Sequence, residues 1–195
     1  SFLLHTSILN RLCGELCDAL TGESDGQALL QQLEQANLFL VPLDNQRRWY
    51  RYHHLFADLL RQRLQHETTP ERVICLHKRA SQWYEGQNLL SQALHHALAV
   101  QDFARAAKLM GSHITEKIMQ GEISTVREWL QALPEEVVHD NPILCVSQAW
   151  IAYFSHQYDA IEPLLQLAEQ KSKESLSVGS ISFSDLLGGA MALRA

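Results

Sequence analysis

Apolar residues recur at helical spacing along almost the whole chain, and this periodicity limits the possible folds more than any other feature. Residues 7–20 are predicted to form a helix, with apolar positions at Ile8, Leu9, Leu12, Leu16 and Leu20. Thr21 and Gly22 then provide a helix stop, because glycine readily adopts the left-handed conformation that ends helices. A chain with this pattern over most of its length is predicted to be mainly α-helical.

One segment interrupts the helical pattern with two β-prone runs. Residues 38–43 and residues 48–52 are rich in aliphatic and aromatic side chains, and the polar residues 44–47 separate them. Two such runs around a polar turn predict a β-hairpin. A helix carrying Leu29, Leu30 and Leu33 precedes the hairpin, and another helix with apolar residues from Leu55 to Leu64 follows it. The order helix, helix, hairpin, helix predicts a small winged-helix module over residues 1–66.

Downstream of the hairpin the strand signal disappears and short connections separate helical stretches. Pro70 suits the first turn of a helix, and further helices are predicted over 89–100, 102–119, 122–132, 142–155 and 158–173. Residues 67–140 are predicted to form a helical arm. From residue 141 the pairing of Trp150–Phe154 with Tyr158–Ala168 resembles a tetratricopeptide helix pair, with Ala149 and Ala160 as the small residues against which large ones pack. Residues 141–195 are therefore predicted to begin a tetratricopeptide-like sensor domain.

The end of the sequence predicts that the chain is an internal fragment of a longer protein. Residues 172–184 are polar and serine-rich, which is typical of a loop, and residues 185–195 resume a helical pattern that stops without a cap. One helix pair buries only part of its apolar surface, so stacked repeats require neighbours. We therefore expect further repeats beyond Ala195.

Composition excludes several classes of protein. The chain has 195 residues, 46% of them hydrophobic and 19% charged, and a formal net charge of −6. This balance is typical of a folded domain and differs from that of a disordered chain. No apolar run approaches the roughly 18 residues of a membrane span, and residues 1–6 lack the basic region of a secretory signal. We expect a soluble, cytoplasmic protein with no membrane partner and reduced cysteines.

Motifs that carry catalysis or metal binding do not emerge from the sequence. The chain contains neither a G-x-x-x-x-G-K-[ST] loop nor a G-x-G-x-x-G turn, and its serines fall at helix starts or on helix faces. The ten histidines include no pair three or four residues apart, and the four cysteines form no metal-binding pattern. We expect no catalytic residues, no metal site and no bound cofactor in this part of the chain.

The basic aromatic run from Arg47 to Tyr52 has two interpretations. Arginines interleaved with aromatic rings contact phosphates and stack on bases, which favours a nucleic-acid surface. However, residues 1–66 carry 6 basic and 7 acidic side chains, which is not the charge field of a DNA-binding domain. We favour the second interpretation, in which the wing docks on its own protein.

Four stretches of the sequence resemble one protein family. They are Leu38–Arg61, Leu76–Tyr84, Ala93–Leu98 and Trp129–Pro134. Together they resemble the MalT-like group of large ATP-dependent LuxR-type transcription regulators, which belong to the signal-transduction ATPases. The resemblance covers nearly the whole chain and thins only over about residues 174–195. It implies a nucleotide-binding domain, a winged helix, a helical arm, a superhelical repeat sensor and a C-terminal DNA-binding helix-turn-helix, of which this chain spans the middle three.

The resemblance also implies a role for one histidine. In related signalling ATPases a winged-helix histidine contacts the β-phosphate of ADP and holds the resting state. His53 follows the hairpin and opens a helix, which is the corresponding place, and His54 is the second candidate. The resemblance implies ATP or ADP with magnesium for the full-length parent, which then has weak, switch-type ATPase activity. Its partners are its own nucleotide-binding domain, a small-molecule inducer or inhibitory protein at the repeats, and promoter DNA only through the C-terminal domain.

These expectations lead to one preferred hypothesis and one alternative. The preferred hypothesis is a regulatory segment of a transcription activator that couples nucleotide state, through the winged helix, to inducer sensing by the helical repeats. The alternative is a helical-repeat adaptor whose surface binds a protein or peptide. A strong effect of nucleotide on inducer affinity in the intact protein separates the two.

Overall fold

A computed structural model describes residues 1–174, which fall into two compact units divided after Val100. The elements of the first unit, in chain order, are α1 (Phe2–Thr6), α2 (Gly14–Thr21), α3 (Gly26–Gln35), β1 (Leu40–Pro42), β2 (Tyr50–Tyr52), α4 (His54–Glu67), α5 (Pro70–Gly86) and α6 (Leu90–Ala99). Those of the second unit are α7 (Phe103–Met119), α8 (Ile123–Gln131), α9 (Glu135–His139), α10 (Pro142–Phe154), a 3₁₀ turn (Tyr158–Ala160) and α11 (Ile161–Glu174). The mainly helical fold with one hairpin is as predicted.

The helix ends of the first unit follow from local sequence. Gly22 has a φ of +81° and its N–H donates to the Asp18 carbonyl at 2.8 Å, so it ends α2 in the left-handed conformation. The Thr69 side chain caps α5 by accepting from the N–H of Arg72, and Pro70 occupies the first turn. Both ends had clear signals in the sequence, and both predictions are confirmed.

The helix predicted over residues 7–20 is wrong in its first half. α1 ends at Thr6 and α2 begins only at Gly14. Between them, Leu12 forms an isolated antiparallel bridge with Tyr50. The backbone N–H of each residue donates to the carbonyl of the other, with an N–O distance of 2.8 Å in both cases. Ile8, Leu9 and Leu12 are buried although this stretch is not helical, so their helical spacing did not require a helix.

The hairpin pairs Leu40 with Tyr52 and Pro42 with Tyr50 in an antiparallel register. Tyr50 and Tyr52 are buried while Arg51 between them is exposed, as the alternation of a strand requires. The carboxylate of Asp44 closes the turn by accepting from the backbone N–H groups of Arg48 and Trp49 at 3.0 and 2.9 Å. These hydrogen bonds lower the pKa of Asp44, since they favour its charged form.

The wing packs on its own unit through the tyrosine face. The hydroxyl groups of Tyr52 and Thr6 lie 2.7 Å apart, and the Tyr50 hydroxyl donates to Glu34, which also forms an ion pair with Arg47 at 2.9 Å. The Trp49 ring meets Trp83 of α5 edge-on. These contacts hold the hairpin against α1, α3 and α5.

In the second unit, α10 and α11 form a helix hairpin around its own apolar core. The buried residues of this core are Cys145, Val146, Ala149, Ala152, Ile161, Leu165 and Ala168. Ala149 is buried as expected, but Ala160 is exposed, and Ala152 and Ala168 are the other small residues at the contact. The helix pair is present at the predicted position, while its membership of a tetratricopeptide array stays a prediction.

The remaining predictions concern boundaries and the end of the chain. The domain limits at residues 66 and 140 stay predictions. The loop predicted from Ser172 begins inside α11, which continues to Glu174, and the rest of it and the helix predicted over 185–195 lie outside the described residues. Within residues 1–174, no helix has the length and apolarity needed to cross a membrane.

Candidate phosphate-binding site

His53 occupies the position that links the hairpin to α4. Its backbone N–H donates to the Phe39 carbonyl at 2.7 Å, and its own carbonyl accepts from the N–H of Ala57 at 2.9 Å. The backbone of His53 is therefore fixed on both sides, whereas its side chain is exposed and makes no capping hydrogen bond. The exposed imidazole of His53 is therefore available to a ligand, and its Cα position is fixed by the backbone hydrogen bonds.

A cavity of about 370 Å³ lies at this end of α4 and contains both predicted histidines. We call it the α4 hollow, and it is lined by Leu9, Asn10, Val41, Arg51, Tyr52, His53, His54, Ala57 and Arg61. The rings of His53 and His54 lie 4.3 Å apart between centroids. The structure thus brings the two candidate residues together with two arginines.

Arg61 is positioned by three hydrogen bonds. Its Nε donates to the Ser7 carbonyl at 3.0 Å, its Nη1 to Asp58 at 3.0 Å and its Nη2 to Asn10 at 3.5 Å. These hydrogen bonds therefore fix the position of the Arg61 guanidinium group in the hollow. Arg51 reaches the same hollow from the exposed face of β2.

The N-terminus of α4 adds partial positive charge to the hollow. The first N–H groups of a helix lack intrahelical acceptors, and the aligned peptide dipoles place partial positive charge there. In this chain no side-chain hydrogen bond caps α4. Together with two guanidinium groups and two imidazoles, this arrangement suits a phosphate oxygen.

Sequence reasoning missed the two arginines, although a signal for each was present. Arg51 precedes His53 by two residues, so the two share a face of the extended strand end. Arg61 follows His54 by seven residues, which is two helical turns and places both on one face of α4.

Comparison with known proteins matches this part of the chain to one family model. Residues 1–73 match the MalT winged helix domain. Residues 1–73 belong to that family. The match covers the hairpin and the whole α4 hollow.

A curated relative extends the likeness beyond the MalT winged helix domain. The HTH-type transcriptional regulator MalT of Serratia proteamaculans (strain 568) is 36% identical to this chain over 174 residues, which is 89% of the chain and 19% of that protein. The chain is MalT-like over this length, and it spans about a fifth of that relative. The family resemblance predicted from the sequence is confirmed.

One short segment of the MalT winged helix domain has the spacing of a catalytic motif. Residues 22–26 read Gly-Glu-Ser-Asp-Gly, which fits the letters of the G-x-S-x-G nucleophile elbow. The elbow requires a strand before the serine and a helix after it. Here the segment joins α2 to α3, and Ser24 is exposed, so the context of a nucleophile is missing.

A second cluster, the His77–His96 pair, lies between α5 and α6 away from the hollow. The Nδ1 atoms of the two histidines are 3.0 Å apart, and the Tyr84 ring stacks on His96 with a centroid distance of 5.5 Å. Burial lowers the pKa of His77 to about 4 and that of His96 to about 3. Both rings are thus neutral near pH 7, so one Nδ1 donates its proton to the other. Sequence spacing gave no hint of this contact, because 19 residues separate the partners.

The part of the chain that the structure describes contains no metal-binding site. Among residues 1–174, no three or more histidine, cysteine, aspartate or glutamate side chains converge in a way that would hold a metal ion. Burial also raises the pKa of Cys17 and Cys145, which keeps these thiols protonated.

Proposed function

We propose that this chain is the regulatory middle part of an ATP-dependent, LuxR-type transcription regulator. In this proposal the winged helix senses the nucleotide state of a neighbouring nucleotide-binding domain and passes it to the helical units that follow. The winged-helix family, the likeness to a transcriptional regulator and the α4 hollow support it. The observation that carries the proposal is the convergence of Arg51, His53, His54 and Arg61 at the start of α4.

The ligand of the α4 hollow is the terminal phosphate of a bound ADP. The donor set fits a phosphate oxygen, since imidazole and guanidinium N–H groups and a helix start all favour negative charge. The chain has no G-x-x-x-x-G-K-[ST] loop, so magnesium and the rest of the nucleotide belong to the nucleotide-binding domain of the same protein. His53 is the closest match to the phosphate-sensing histidine, and His54 is the second candidate.

The nucleotide holds the winged helix in its resting position by this contact. A ligand shifts a conformational equilibrium only when it binds the two states differently. ADP meets this condition if its phosphate touches His53 in the resting state alone. Any hydrolysis of ATP then acts as a slow switch in the whole protein, and this chain contributes no catalytic group.

The remaining partners follow from the same proposal. The helical units after α6 receive the inducer or an inhibitory protein, and promoter DNA binds through a helix-turn-helix domain elsewhere in the protein. The wing is unsuited to DNA, because residues 1–66 are net acidic and the tyrosine face of the hairpin is buried.

The test is ADP retention by the complete protein with His53 replaced. We expect His53→Ala to release ADP about tenfold faster and to raise basal transcription, because one hydrogen bond to a charged phosphate is lost. His66→Ala is the matched control, since it removes an exposed histidine from the other end of the same helix. Unchanged ADP release and unchanged basal activity in His53→Ala would refute the phosphate contact.

The alternative function, a helical adaptor, is favoured by one observation in the second unit. Tyr153, Phe154 and Tyr158 are exposed and their rings contact one another at the end of α10. Exposed aromatic groups of this kind are typical of protein interfaces. An adaptor would bind its partner equally well with ADP, with ATP or without nucleotide, whereas the regulator would not.

A further inference from the structure

Trp49 of the wing and Trp83 of α5 form an aromatic corner at the surface of the first unit. Their ring centroids lie 6.4 Å apart and the ring planes meet at 73°. Both side chains are half-buried, and both line a cavity of about 890 Å³ between the wing turn, α2, α3 and the end of α5. We call it the tryptophan hollow, and it shares no lining residue with the α4 hollow.

Contacts within the first unit hold the two rings in place. The backbone N–H of Trp49 donates to the Asp44 carboxylate at 2.9 Å, and its carbonyl accepts from the Leu43 N–H at 2.8 Å. The Trp83 ring packs against the buried ring of Tyr84 at a centroid distance of 5.3 Å. A preformed site loses little conformational freedom on binding, so even modest contacts contribute to affinity.

The faces of the two indoles select for positive charge. An aromatic face carries negative electrostatic potential and attracts a cation that lies within about 6 Å of the ring centroid. An edge-on pair leaves an angle bounded by one face of each ring, and a cation in the angle between Trp49 and Trp83 is able to lie within this distance of both centroids. An uncharged group of the same shape gains the packing but not the electrostatic attraction.

The ionised side chains of the tryptophan hollow add to this preference. They are three carboxylates and two guanidinium groups, from Glu15, Asp18, Asp25, Arg47 and Arg48. Arg47 forms an ion pair at 2.9 Å with Glu34, which lies outside the lining and compensates its charge. Among the described lining residues, the three carboxylates are therefore opposed by Arg48 alone. This excess of negative charge favours a cation and disfavours a phosphate.

We propose that the tryptophan hollow binds an organic cation of the alkylammonium class, with its charged nitrogen between Trp49 and Trp83. Such a group belongs either to a free quaternary amine or to a lysine side chain of a protein partner, and both present the same chemistry to the hollow. The inference goes beyond the proposed function, because binding here requires no nucleotide, no contact at the α4 hollow and no part of the second unit.

Nuclear magnetic resonance of the 195-residue chain tests the charge preference, with the indole N–H signals of Trp49 and Trp83 as reporters. The first probe pair is choline and 3,3-dimethylbutan-1-ol, which share one shape and differ in the replacement of the charged nitrogen by carbon. We expect choline to bind about fivefold more tightly than the alcohol, which is the scale of a cation contact with exposed aromatic rings.

A second probe pair identifies the source of the cation. It consists of Nα-acetyl-lysine amide and its uncharged analogue with a methyl group in place of the ammonium group. A larger gain from charge in this pair than in the choline pair assigns the hollow to a lysine of a protein partner. A larger gain in the choline pair assigns it to a free quaternary amine.

Variants separate the aromatic corner from a general attraction of cations to an acidic chain. Trp49→Leu keeps an apolar side chain but removes one ring face, so the preference for choline over the alcohol should fall at least twofold. Trp129→Leu is the matched control, because Trp129 is a half-buried tryptophan of the second unit, and it should retain the full preference.

Charge variants test the carboxylates and do not depend on the wing. Glu15→Gln combined with Asp25→Asn changes two exposed side chains of the tryptophan hollow and should weaken choline binding while the alcohol binds as before. Glu128→Gln combined with Asp159→Asn removes the same charge from exposed positions of the second unit and should leave choline binding unchanged. These variants keep the inference testable if Trp49→Leu fails to fold.

Four results would overturn the inference. They are no saturable shift of the Trp49 and Trp83 indole signals with either charged probe, equal affinity for both members of each pair, an unchanged choline preference in a folded Trp49→Leu variant, and equal loss of choline affinity in the two charge variants. The proposed function fails by a different measurement, since ADP release from His53→Ala does not depend on the tryptophan hollow.

Discussion

His77 and His96 meet Nδ1 to Nδ1 at 3.0 Å, which joins α5 to α6 through two uncharged imidazoles. This contact requires one Nδ1 that carries a hydrogen and one that does not, so it is lost when both rings are protonated. The Tyr84 ring stacks on His96, which is only 3% exposed. The pair is therefore an acid-sensitive point in the first unit.

The first prediction concerns the pH dependence of stability. Burial lowers the pKa of His77 to about 4 and of His96 to about 3, from 6.5 for an unperturbed histidine. Below pH 6.5 the unfolded chain binds protons that the folded chain does not, so the free energy of unfolding falls as the pH drops from 6.5 towards 4. Urea unfolding followed by circular dichroism at several pH values measures this decline.

Substitution identifies the histidine responsible. His96→Phe keeps a ring against Tyr84 but cannot titrate, so the decline between pH 6.5 and 4 should become shallower. His66→Phe, at an exposed position in α4, should leave it unchanged. An identical slope in His96→Phe and wild type would show that other groups cause the acid sensitivity.

The second prediction concerns the crossing of α2 and α3. A Cβ atom at Gly14 would lie 2.7 Å from Gln27 Cβ, and one at Gly26 would lie 2.7 Å from the Gly14 carbonyl oxygen. Gly14→Ala and Gly26→Ala should each destabilise the chain by about 1–3 kcal/mol, because the helices must separate. Gly86→Ala is the control, since no atom lies within 4 Å of its added Cβ. Wild-type stability in Gly26→Ala would show that the crossing is looser than described.

The third prediction concerns the buried hydroxyl pair that attaches the wing to α1. Tyr52 Oη and Thr6 Oγ1 lie 2.7 Å apart, and Thr6 also donates to the Phe2 carbonyl at 2.8 Å. Tyr52→Phe should cost about 0.5–1.5 kcal/mol, and Thr6→Val more, because the tyrosine hydroxyl then stays buried without a partner. The double variant should cost less than the sum of the two, as double-mutant cycles show for contacting groups. Strict additivity would argue against the contact.

The fourth prediction compares two of the exposed arginines of the wing, Arg51 and Arg48. Arg51 lines the α4 hollow, whereas Arg48 lines a different hollow beside α2 and α3. In the complete protein, Arg51→Ala should speed ADP release by up to about fivefold, which is the usual scale of an exposed charge contact. Arg48→Ala should not change it. Equal effects of the two variants would indicate a general loss of positive charge rather than a phosphate site.

The sequence predicted those elements whose causes are local. Helix starts at Pro70 and Pro142 and the hairpin around Asp44 depend on residues only a few positions apart, so they were readable. The helix predicted across Ser7–Cys13 failed because the bridge between Leu12 and Tyr50 joins residues far apart in the chain.

The site was only partly readable for the same reason. His53 and His54 came from a family resemblance, while Arg61 required the fold of α4 to reach the hollow. Helical spacing also failed to distinguish buried from exposed positions, since Leu55 and Leu59 fit the apolar pattern of α4 but are 67% and 52% exposed. Periodicity reports which residues share a face, and the packing of other elements decides whether that face is buried.

The central claim is that nucleotide state reaches the helical units through His53. Hydrogen exchange of the complete protein, with ADP and with a non-hydrolysable ATP analogue, measures it most directly. We expect exchange in α7–α11 to differ between the two nucleotides in wild type and in His66→Ala, and we expect His53→Ala to abolish the difference. A difference that persists in His53→Ala, or exchange that is identical with both nucleotides in wild type, would contradict it.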